Sequence, residues 1–362
     1  MSTIELKYKP DFARVREMWN HYWAGDVLKR PLVVASVPRE GVNARGGKPY
    51  YRYYTALQKD YKTRFACIDN ILETTEYMAE SIPFFGTDLG PDQFASFLGA
   101  EFKFSESSME TNWVDPIVEN WEDVLPLRFD ENNHNFKHLL EVAVKMAEHA
   151  EGRYLVGVCD FHSNGDTLSA LRSPEKLCMD FYDCPELVAR AMRDVRKIYQ
   201  PVYDAVYKAS GMSRATGSIG WIPFWCEGKF ASVQCDFMCM VSPEICREYI
   251  IPALEEEAAF LDHCVFHLDG PGALRHLDDI LAIKDIDVLQ WVPGDGQPPV
   301  YEWLDVLKKA QKAGKGLQIY GVNLDIIKRI SRELSPEGIV YCVDAKTRED
   351  VNEITDWLEE NT

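Results

Sequence analysis

The chain has 362 residues, of which 46% are hydrophobic, and a formal net charge of −19 at pH 7. A surface with this excess of negative charge repels polyanions, which argues against a nucleic acid or an anionic membrane as a partner. The sequence has no run of about 18 apolar residues that could span a membrane and no leader at its start, so we expect a cytoplasmic protein. Its ten cysteines show no CxxC spacing, and most are expected to be reduced thiols packed as small hydrophobic groups.

Residues 11–24 repeat apolar positions at helical spacing and include Trp19 and Trp23. This pattern predicts an amphipathic helix that packs across one end of the body. We therefore expect residues 1–30 to form a helical extension and residues 31–362 to form one main domain.

From residue 32 onward, apolar runs alternate with helical stretches. The first runs lie near residues 32, 82 and 154, and the later ones lie in SIGWIPFWCEGKFASVQCDF, HCVFHLDGPG, IDVLQWVPGDG, GLQIYGVNLD and GIVYCVDAK. Strands that alternate with helices pair in parallel through right-handed crossovers, and eight such units close into a barrel. No Gly-rich nucleotide-binding motif follows any of these runs. The sequence therefore predicts an α/β protein with a (β/α)8 TIM barrel and an N-terminal helical extension.

Residues 101–130 interrupt this alternation with many polar and aromatic residues and weak periodicity. An insertion of this kind can serve as a lid over a site or as a contact with a second subunit. The pattern leaves both alternatives open.

The run HCVFHLDGPG carries two potential metal ligands at one end of a strand. With a period of two residues, His267 and Asp269 share one face of the strand with Val265. The turn at 270–272 then leads into a helical stretch. Because chemistry in α/β barrels takes place at the C-terminal ends of the strands, His267 and Asp269 are candidate ligands.

Other polar or aromatic side chains follow the ends of these apolar runs. They are Asp88, Asp160, His162, Asp166, Glu227, Cys235, Asp236, Gln290, Trp291, Asn323, Asp325, Cys342 and Asp344. If HCVFHLD and IVYCVD are the sixth and eighth strands, their even parity places His267 and Cys342 in one layer of the barrel. One imidazole, one thiolate and one or two carboxylates would suit a catalytic Zn²⁺ with an open position. The alternatives are a cysteine that belongs to the core and a histidine that is only hydrogen-bonded.

Aromatic residues lie in the same segments, among them Trp225 and Trp291. Such rings either pack at the mouth of a barrel or form the walls of a small-molecule pocket. The second interpretation makes these two tryptophans, together with His162 and Asn323, the expected substrate-binding residues.

The later segments follow one another in the order SVQCDFMCMVSPE, FHLDGPG, VLQWVPG, IYGVNLD and IVYCVDA. This order resembles the uroporphyrinogen decarboxylase superfamily, whose members have a (β/α)8 barrel and include decarboxylases and corrinoid-dependent methyltransferases. The similarity extends over residues 150–355, with a weaker match from Arg30 onward. Asp236, Gln290 and Asn323 stand within the segments that match decarboxylases.

The sequence departs from decarboxylases in the residues that hold their substrate. Decarboxylases carry an N-terminal run with two arginines, whereas the matching segment here, ASVPREG, has Arg39 alone, and Gln290 replaces an aspartate. A tetrapyrrole with many carboxylates requires several cations in its pocket. Uroporphyrinogen is therefore not the substrate that we expect.

The methyltransferase branch of the superfamily binds zinc through a His-x-Cys motif at the end of the sixth strand and a cysteine near the eighth. His267 and Cys342 match these positions, and Asp269 stands in place of the first cysteine. The resemblance implies a zinc enzyme, with these three residues as ligands, that moves a methyl group from a small substrate to a corrinoid carried by a separate protein. The carboxylate makes the site harder, which favours an oxygen-bearing substrate over a thiol. A homodimer is a further expectation, because dimers are common in the superfamily.

Two other functions fit the same residues. One is a decarboxylase-like lyase that acts on a small carboxylic acid, in which Asp236 or Asp88 would stabilise a protonated intermediate. Asp236, Asp88 and Gln290 are the expected catalytic residues of the site. The other is a barrel that binds a metabolite without catalysis. The presence of a bound metal would separate the methyltransferase from both.

Overall fold

The computed structural model describes residues 4–42, 50–105 and 108–362. Its strands are β1 (Leu32–Pro38), β2 (Thr75–Ala79), β3 (Phe84–Gly86), β4 (Phe102–Ser105), β5 (Ser108–Val114), β6 (Leu155–Gly157), β7 (Ser218–Ile219), β8 (Trp225–Cys226), β9 (Phe230–Gln234), β10 (His263–Asp269), β11 (Val288–Val292), β12 (Gly316–Val322) and β13 (Ile339–Val343). Its α-helices are α1 (Phe12–Trp23), α2 (Arg52–Leu57), α3 (Tyr61–Thr74), α4 (Gln93–Phe97), α5 (Trp121–Val124), α6 (His134–Ala150), α7 (Asn164–Arg172), α8 (Pro174–Asp183), α9 (Pro185–Val195), α10 (Tyr199–Ala209), α11 (Pro243–Ile245), α12 (Ile251–Phe260), α13 (Leu277–Ala282), α14 (Leu304–Lys312), α15 (Leu324–Ile330) and α16 (Arg348–Asn361). Short 3-10 helices cover Asp236–Met240, Pro271–His276 and Val300–Glu302, and a π-helical turn covers Cys246–Ile250. Among the described residues, no helix combines the length and the apolar character that crossing a membrane requires.

The wall of the fold consists of parallel strands that follow the order of a TIM barrel. The described residues contribute eight of them, namely β1, β3, β6 and β9 to β13. Parallel pairing runs without interruption from β9 through β13 to β1, and β3 pairs in parallel with β6. Two further strands lie next to the ends of these paired groups. Strand β2 pairs antiparallel with the free edge of β1. A hydrogen bond of 2.8 Å from the Val158 N–H to the Ile219 carbonyl connects the end of β6 to β7. The predicted α/β fold of the TIM-barrel type is therefore confirmed.

The strand that contains HCVFHLD, β10, is the fifth of these eight, and β13 is the eighth. The segment that contains β7 and β9 supplies only one strand of the barrel wall, so the expectation that β10 is the sixth strand is wrong. The parity argument for His267 and Cys342 fails with it. Both side chains nevertheless face the interior, since they alternate in phase with the buried Val265 and Val340.

The interior of the barrel changes from apolar to polar along its axis. Its lower layer consists of Leu32, Phe230, Val265, Val288 and Val340, all of them buried. Toward the C-terminal ends of β9 to β12, in-register pairing places four polar residues side by side, namely Gln234, His267, Gln290 and Gln318. Paired residues of parallel strands point to the same face of the sheet, so these four side chains share the interior.

Helix α1 closes the N-terminal end of the barrel. Its buried face includes Phe12, Val15 and Trp19, which pack on the lower apolar layer. The amphipathic helix predicted near the N-terminus is therefore present. The division of the chain into an extension, 1–30, and a barrel domain, 31–362, stays a prediction.

A buried carboxylate connects this end of the barrel to the chain that precedes β1. The Arg30 guanidinium donates hydrogen bonds of 2.7 and 3.1 Å to Glu80, and the Val33 N–H donates a third of 3.0 Å. The indole N–H of Trp19 donates to the Glu80 carbonyl. Burial alone would raise the pKa of Glu80, but the charge and hydrogen bonds of Arg30 hold it below its usual value.

The insertion at 101–130 contains the antiparallel pair β4 and β5, followed by α5. The Val114 N–H donates to the Asp92 carboxylate at 3.2 Å, and the Asn112 side chain donates to the Leu89 carbonyl at 2.5 Å. These bonds hold the end of β5 against the loop that follows β3. Its role as a lid or as a subunit contact stays a prediction.

A second buried carboxyl, Glu257 of α12, supports the start of α7. It accepts hydrogen bonds from the Ser163 hydroxyl at 2.6 Å and from the Asn164 side-chain amide at 3.1 Å. Asn164 has a positive φ of 47°, which this side-chain bonding stabilises. Burial raises the pKa of Glu257 to about 8, so the carboxyl is mainly protonated at neutral pH.

Replacing Glu80 with glutamine should lower the free energy of unfolding by about 3–5 kcal/mol, because the buried Arg30 would keep only the half-exposed Glu359, at 3.8 Å, as an anionic neighbour. Urea denaturation at neutral pH measures this change. Glu76→Gln is the matched control, since Glu76 pairs with an arginine, Arg348, whose side chain is 59% exposed, and its loss should cost less than about 1 kcal/mol. Equal losses in the two variants would contradict the role given to Glu80.

The raised pKa of Glu257 predicts a pH dependence of stability. The usual pKa of a glutamate is 4.5 and the folded value is about 8, so the folded state keeps this proton over the interval between them. The contribution of Glu257 to stability is therefore complete below pH 4.5, falls as the pH rises through the interval, and levels off above about 8. Glu257→Gln should lack this decline and unfold at a higher temperature than the wild type at pH 8. Parallel profiles of melting temperature against pH for the two proteins would show the prediction to be wrong.

Candidate metal centre

Three potential metal ligands meet at the C-terminal mouth of the barrel. Asp236, His267 and Asp269 each offer one ligand atom, and these atoms lie within 4.8 Å of one another. His267 and Asp269 belong to the end of β10, and Asp236 follows β9, which pairs in parallel with β10. Since the C-terminal ends of adjacent parallel strands lie side by side, the strand register brings the three side chains together.

The two carboxylates of this group have little compensating charge nearby. Asp269 is exposed and forms no ion pair within the described part of the chain, and the cationic neighbour of Asp236 is His162, at 4.0 Å. Although 45% of the Asp236 side chain is exposed, its partial burial in the mouth and then the charge of Asp166 raise its pKa to about 6. A divalent cation between the two carboxylates would remove their mutual repulsion.

The imidazole of His267 is held by one nitrogen. Its Nδ1 lies 2.5 Å from Oε1 of Gln290, on the next strand. The indole ring of Trp221 packs edge to face on the imidazole, with 5.1 Å between the ring centroids. With Nδ1 occupied, Nε2 is the nitrogen that remains for a metal.

The group of potential ligands differs at one position from the ligand set expected from the sequence, which includes Cys342. The Cys342 thiol accepts a hydrogen bond of 3.2 Å from Gln318 and does not belong to the group of three, in which Asp236 takes its place. The reason lies in the sheet, because β11 and β12 separate β10 from β13 while β9 is adjacent to β10. Burial raises the pKa of Cys342 to about 12, so it is a neutral thiol at physiological pH.

The donor set of the group fits a divalent transition metal. One imidazole nitrogen and two carboxylate oxygens leave coordination positions open, as catalytic zinc sites with three protein ligands do. Without the thiolate the set is harder than expected from the sequence and also suits Mn²⁺.

His162 lies between two aspartates beside this group. Its Nε2 is 3.3 Å from Asp160 and its Nδ1 is 3.3 Å from Asp166. Burial alone would lower the pKa of His162, but the charges and hydrogen bonds of the two aspartates raise it well above its usual value. The two aspartates therefore favour the imidazolium form of His162. Asp160 also accepts hydrogen bonds from Trp221 at 2.8 Å and from Gln234 at 2.6 Å.

Asp166 has a second role, in the position of the ligand Asp236. Its two carboxylate oxygens accept the backbone N–H groups of Asp236, at 3.1 Å, and of Phe237, at 2.8 Å. The segment that carries Asp236 is thus fixed from α7. The expected substrate-binding residue His162 lies at the same place, and its contact with a substrate stays a prediction.

Asp88 is buried at the far side of the mouth, next to a cation that the sequence analysis missed. One carboxylate oxygen accepts the N–H of Asp160, and the other lies 3.5 Å from Nε of Arg52. The charge of Asp88 raises the pKa of Arg52, which also donates to the hydroxyl of Tyr53. Burial raises the pKa of Tyr53 to about 12. Both missed residues belong to α2, whose short helical pattern carries no signal of a strand end.

Two of the expected substrate-binding residues are placed elsewhere. Trp225 is fully buried and packs against Phe12 and Arg16 of α1, at the opposite end of the barrel. Trp291 is fully buried in the outer layer, where its ring contacts Trp303. The structure therefore places neither ring in the cleft beside the group. For Trp291 the cause is the alternation along β11, which turns Gln290 inward and therefore its neighbour outward.

The remaining expected residue, Asn323, is exposed at the end of β12. Its side-chain oxygen accepts the N–H of Ile326 at 3.0 Å and so caps α15. Its role in substrate binding stays a prediction.

A cleft of about 440 Å³ opens beside the group. Its polar wall includes Asp92, His162, Asp166 and Asp236, and its apolar wall includes Pro116 and Met240. This volume lies within the usual range for a small-molecule site.

Comparisons with known proteins add information on the fold. Neither a family model nor a curated protein matches the sequence. Among solved structures, the chain is similar to a methyltransferase from Methanosarcina mazei, with 12% identity over 96% of this chain and 98% of that chain and a TM-score of 0.60. It also aligns with a macrophomate synthase, with 12% identity over 88% and 92% of the two chains and a TM-score of 0.24. The first likeness shows that almost the whole chain shares the α/β fold of that methyltransferase.

Proposed function

We propose that this protein is a metal-dependent methyltransferase of the uroporphyrinogen decarboxylase superfamily, which moves a methyl group from a small substrate to a corrinoid carried by a separate protein. The observation that carries the proposal is the group formed by Asp236, His267 and Asp269 at the barrel mouth. The likeness in fold to a methyltransferase and the order of the sequence segments support the same class of enzyme.

The group would hold a divalent ion, for which zinc is our first candidate. His267 would contribute Nε2, and Asp236 and Asp269 would contribute one carboxylate oxygen each, so that their two negative charges balance the ion. When bound, such an ion supplies a Lewis acid for the heteroatom that carries the methyl group.

The cleft beside the group would bind the methyl donor. Its carboxylates, among them Asp92 and Asp166, disfavour an anionic donor and favour a neutral or cationic one. Met240 and Pro116 would contact the apolar part of the substrate. The imidazolium of His162, 4.0 Å from the Asp236 carboxylate, would help to hold that carboxylate in place.

One observation favours a second function, a decarboxylase-like lyase that acts on a small carboxylic acid. The guanidinium of Arg52, with 30% of its side chain exposed, lies at the same mouth beside Asp88. A guanidinium is well suited to bind a carboxylate. Asp236, with a pKa of about 6, can exchange a proton near neutral pH.

The first prediction from the proposed function concerns metal binding. The wild-type protein should bind Zn²⁺ or Mn²⁺ stoichiometrically, and His267→Gln and Asp236→Asn should each abolish this binding, because each removes one of three ligands. Isothermal titration calorimetry with the metal alone, followed by metal analysis after gel filtration, measures it.

Two variants serve as controls for this experiment. Asp325→Asn makes the same chemical change just after β12, outside the group, and Cys342→Ser replaces the thiol with a hydroxyl that can still accept from Gln318. Both should bind metal as the wild type does. Loss of binding in Cys342→Ser but not in Asp236→Asn would restore the ligand set expected from the sequence. A wild-type protein that binds neither metal would refute the proposal.

Methyl transfer is the second prediction, with free cob(I)alamin in place of the corrinoid of the partner protein. Small methoxylated and N-methylated compounds serve as donors, and the absorbance of the corrinoid records its methylation. Turnover should require the metal and should fall to background in His267→Gln. Release of CO₂ from small carboxylic acids by the metal-free protein, without methyl transfer, would favour the lyase instead.

A further inference from the structure

We propose that Gln318 is a positioning residue, which determines the nitrogen of His267 that faces the barrel mouth. Gln318 belongs to β12 and acts through Gln290 of the intervening strand. The Nε2 of Gln290 donates to Oε1 of Gln318 at 2.6 Å, and the Oε1 of Gln290 contacts Nδ1 of His267. Gln318 in turn donates from Nε2 to the Cys342 sulfur at 3.2 Å. The four side chains therefore form one chain of hydrogen bonds across β10 to β13.

Within this row of hydrogen bonds, each side chain determines whether its neighbour donates or accepts. A side-chain amide has a donor at one end and an acceptor at the other, so a Gln290 that directs Nε2 at Gln318 has only Oε1 for His267. An oxygen that accepts requires a hydrogen on Nδ1 of the imidazole. The lone pair then lies on Nε2. Turning the Gln290 amide over would reverse this assignment.

Burial keeps the two amides in their orientation. Gln290 is 6% exposed and Gln318 is 3% exposed, and the apolar layer of Val265, Val288 and Val340 lies beneath them. A buried amide group without a partner is unfavourable, so the orientation that satisfies the whole chain is retained. Gln318 is the member that offers an acceptor to Gln290, and the Cys342 sulfur accepts a hydrogen bond from Gln318.

This inference deepens the proposed function, because a metal can bind only to an Nε2 that carries no hydrogen. It rests on the proposed function only in the part that concerns metal binding. The position of the hydrogen on His267 is a property of the metal-free protein. It can be measured whether or not the protein is a methyltransferase.

The experiment is nitrogen-15 NMR of the imidazole rings in metal-free, histidine-labelled protein at alkaline pH, where a free imidazole is neutral. His267→Gln identifies the signals of His267. The wild type should show the tautomer with hydrogen on Nδ1. Gln318→Leu, which removes the acceptor, should shift His267 toward the tautomer with hydrogen on Nε2. Gln318→Glu keeps an oxygen for Gln290 and should retain the wild-type tautomer.

Zinc affinity is the second readout, and circular dichroism establishes that each variant is folded. Gln318→Leu should weaken zinc binding by about 10- to 100-fold, as is typical for a residue that orients a ligand, while Gln318→Glu should stay close to the wild type. A wild type with hydrogen on Nε2, an unchanged tautomer in folded Gln318→Leu, or an equal change in both variants would each overturn the inference. The expected tautomers without zinc binding by any of the proteins would uphold it and refute the proposed metal function alone.

Discussion

The parallel register of β9 to β12 is the constraint on which the candidate site depends. Backbone pairing decides which side chains of adjacent strands are neighbours, and it places Gln234, His267, Gln290 and Gln318 side by side in the interior. A slip of one residue in β10 would turn His267 toward the helices and would also turn Val265 out of the apolar layer. The hydrophobic interior below therefore stabilises the polar arrangement above it.

The distribution of charge separates the carboxylates of the fold into two kinds. Glu80 is paired with a buried arginine and Asp160 with an imidazolium, so each has its compensation within the protein. Asp236 and Asp269 lie close together, with only His162, at 4.0 Å from Asp236, as a cation among the described ion pairs of the two. In a chain with a net charge of −19, two such groups repel each other and the rest of the surface. Their position, rather than the number of acidic residues, marks the site.

The sequence was sufficient for those features that depend on local pattern. Alternation of strands and helices predicts the barrel type, and the strand and turn around His267 and Asp269 place both at its mouth. Asp236 was expected as a catalytic residue and not as a ligand, because ligand sets depend on which strands are neighbours. Because side chains alternate along a strand, an inward-facing Gln290 requires that Trp291 faces outward, away from the pocket. Arg52 was missed, since a helix brings it to the site from a distant part of the chain.

Trp221 joins the two halves of the mouth. Its indole N–H donates to Asp160, which holds His162, while its ring packs on His267. A substitution that moves this ring alters the imidazolium side and the ligand side at once. Changes at Asp160 and His267 should therefore be epistatic, although the two residues are on different strand ends. During divergence of the sequence, the residue at position 221 restricts which combinations of the two can be tolerated.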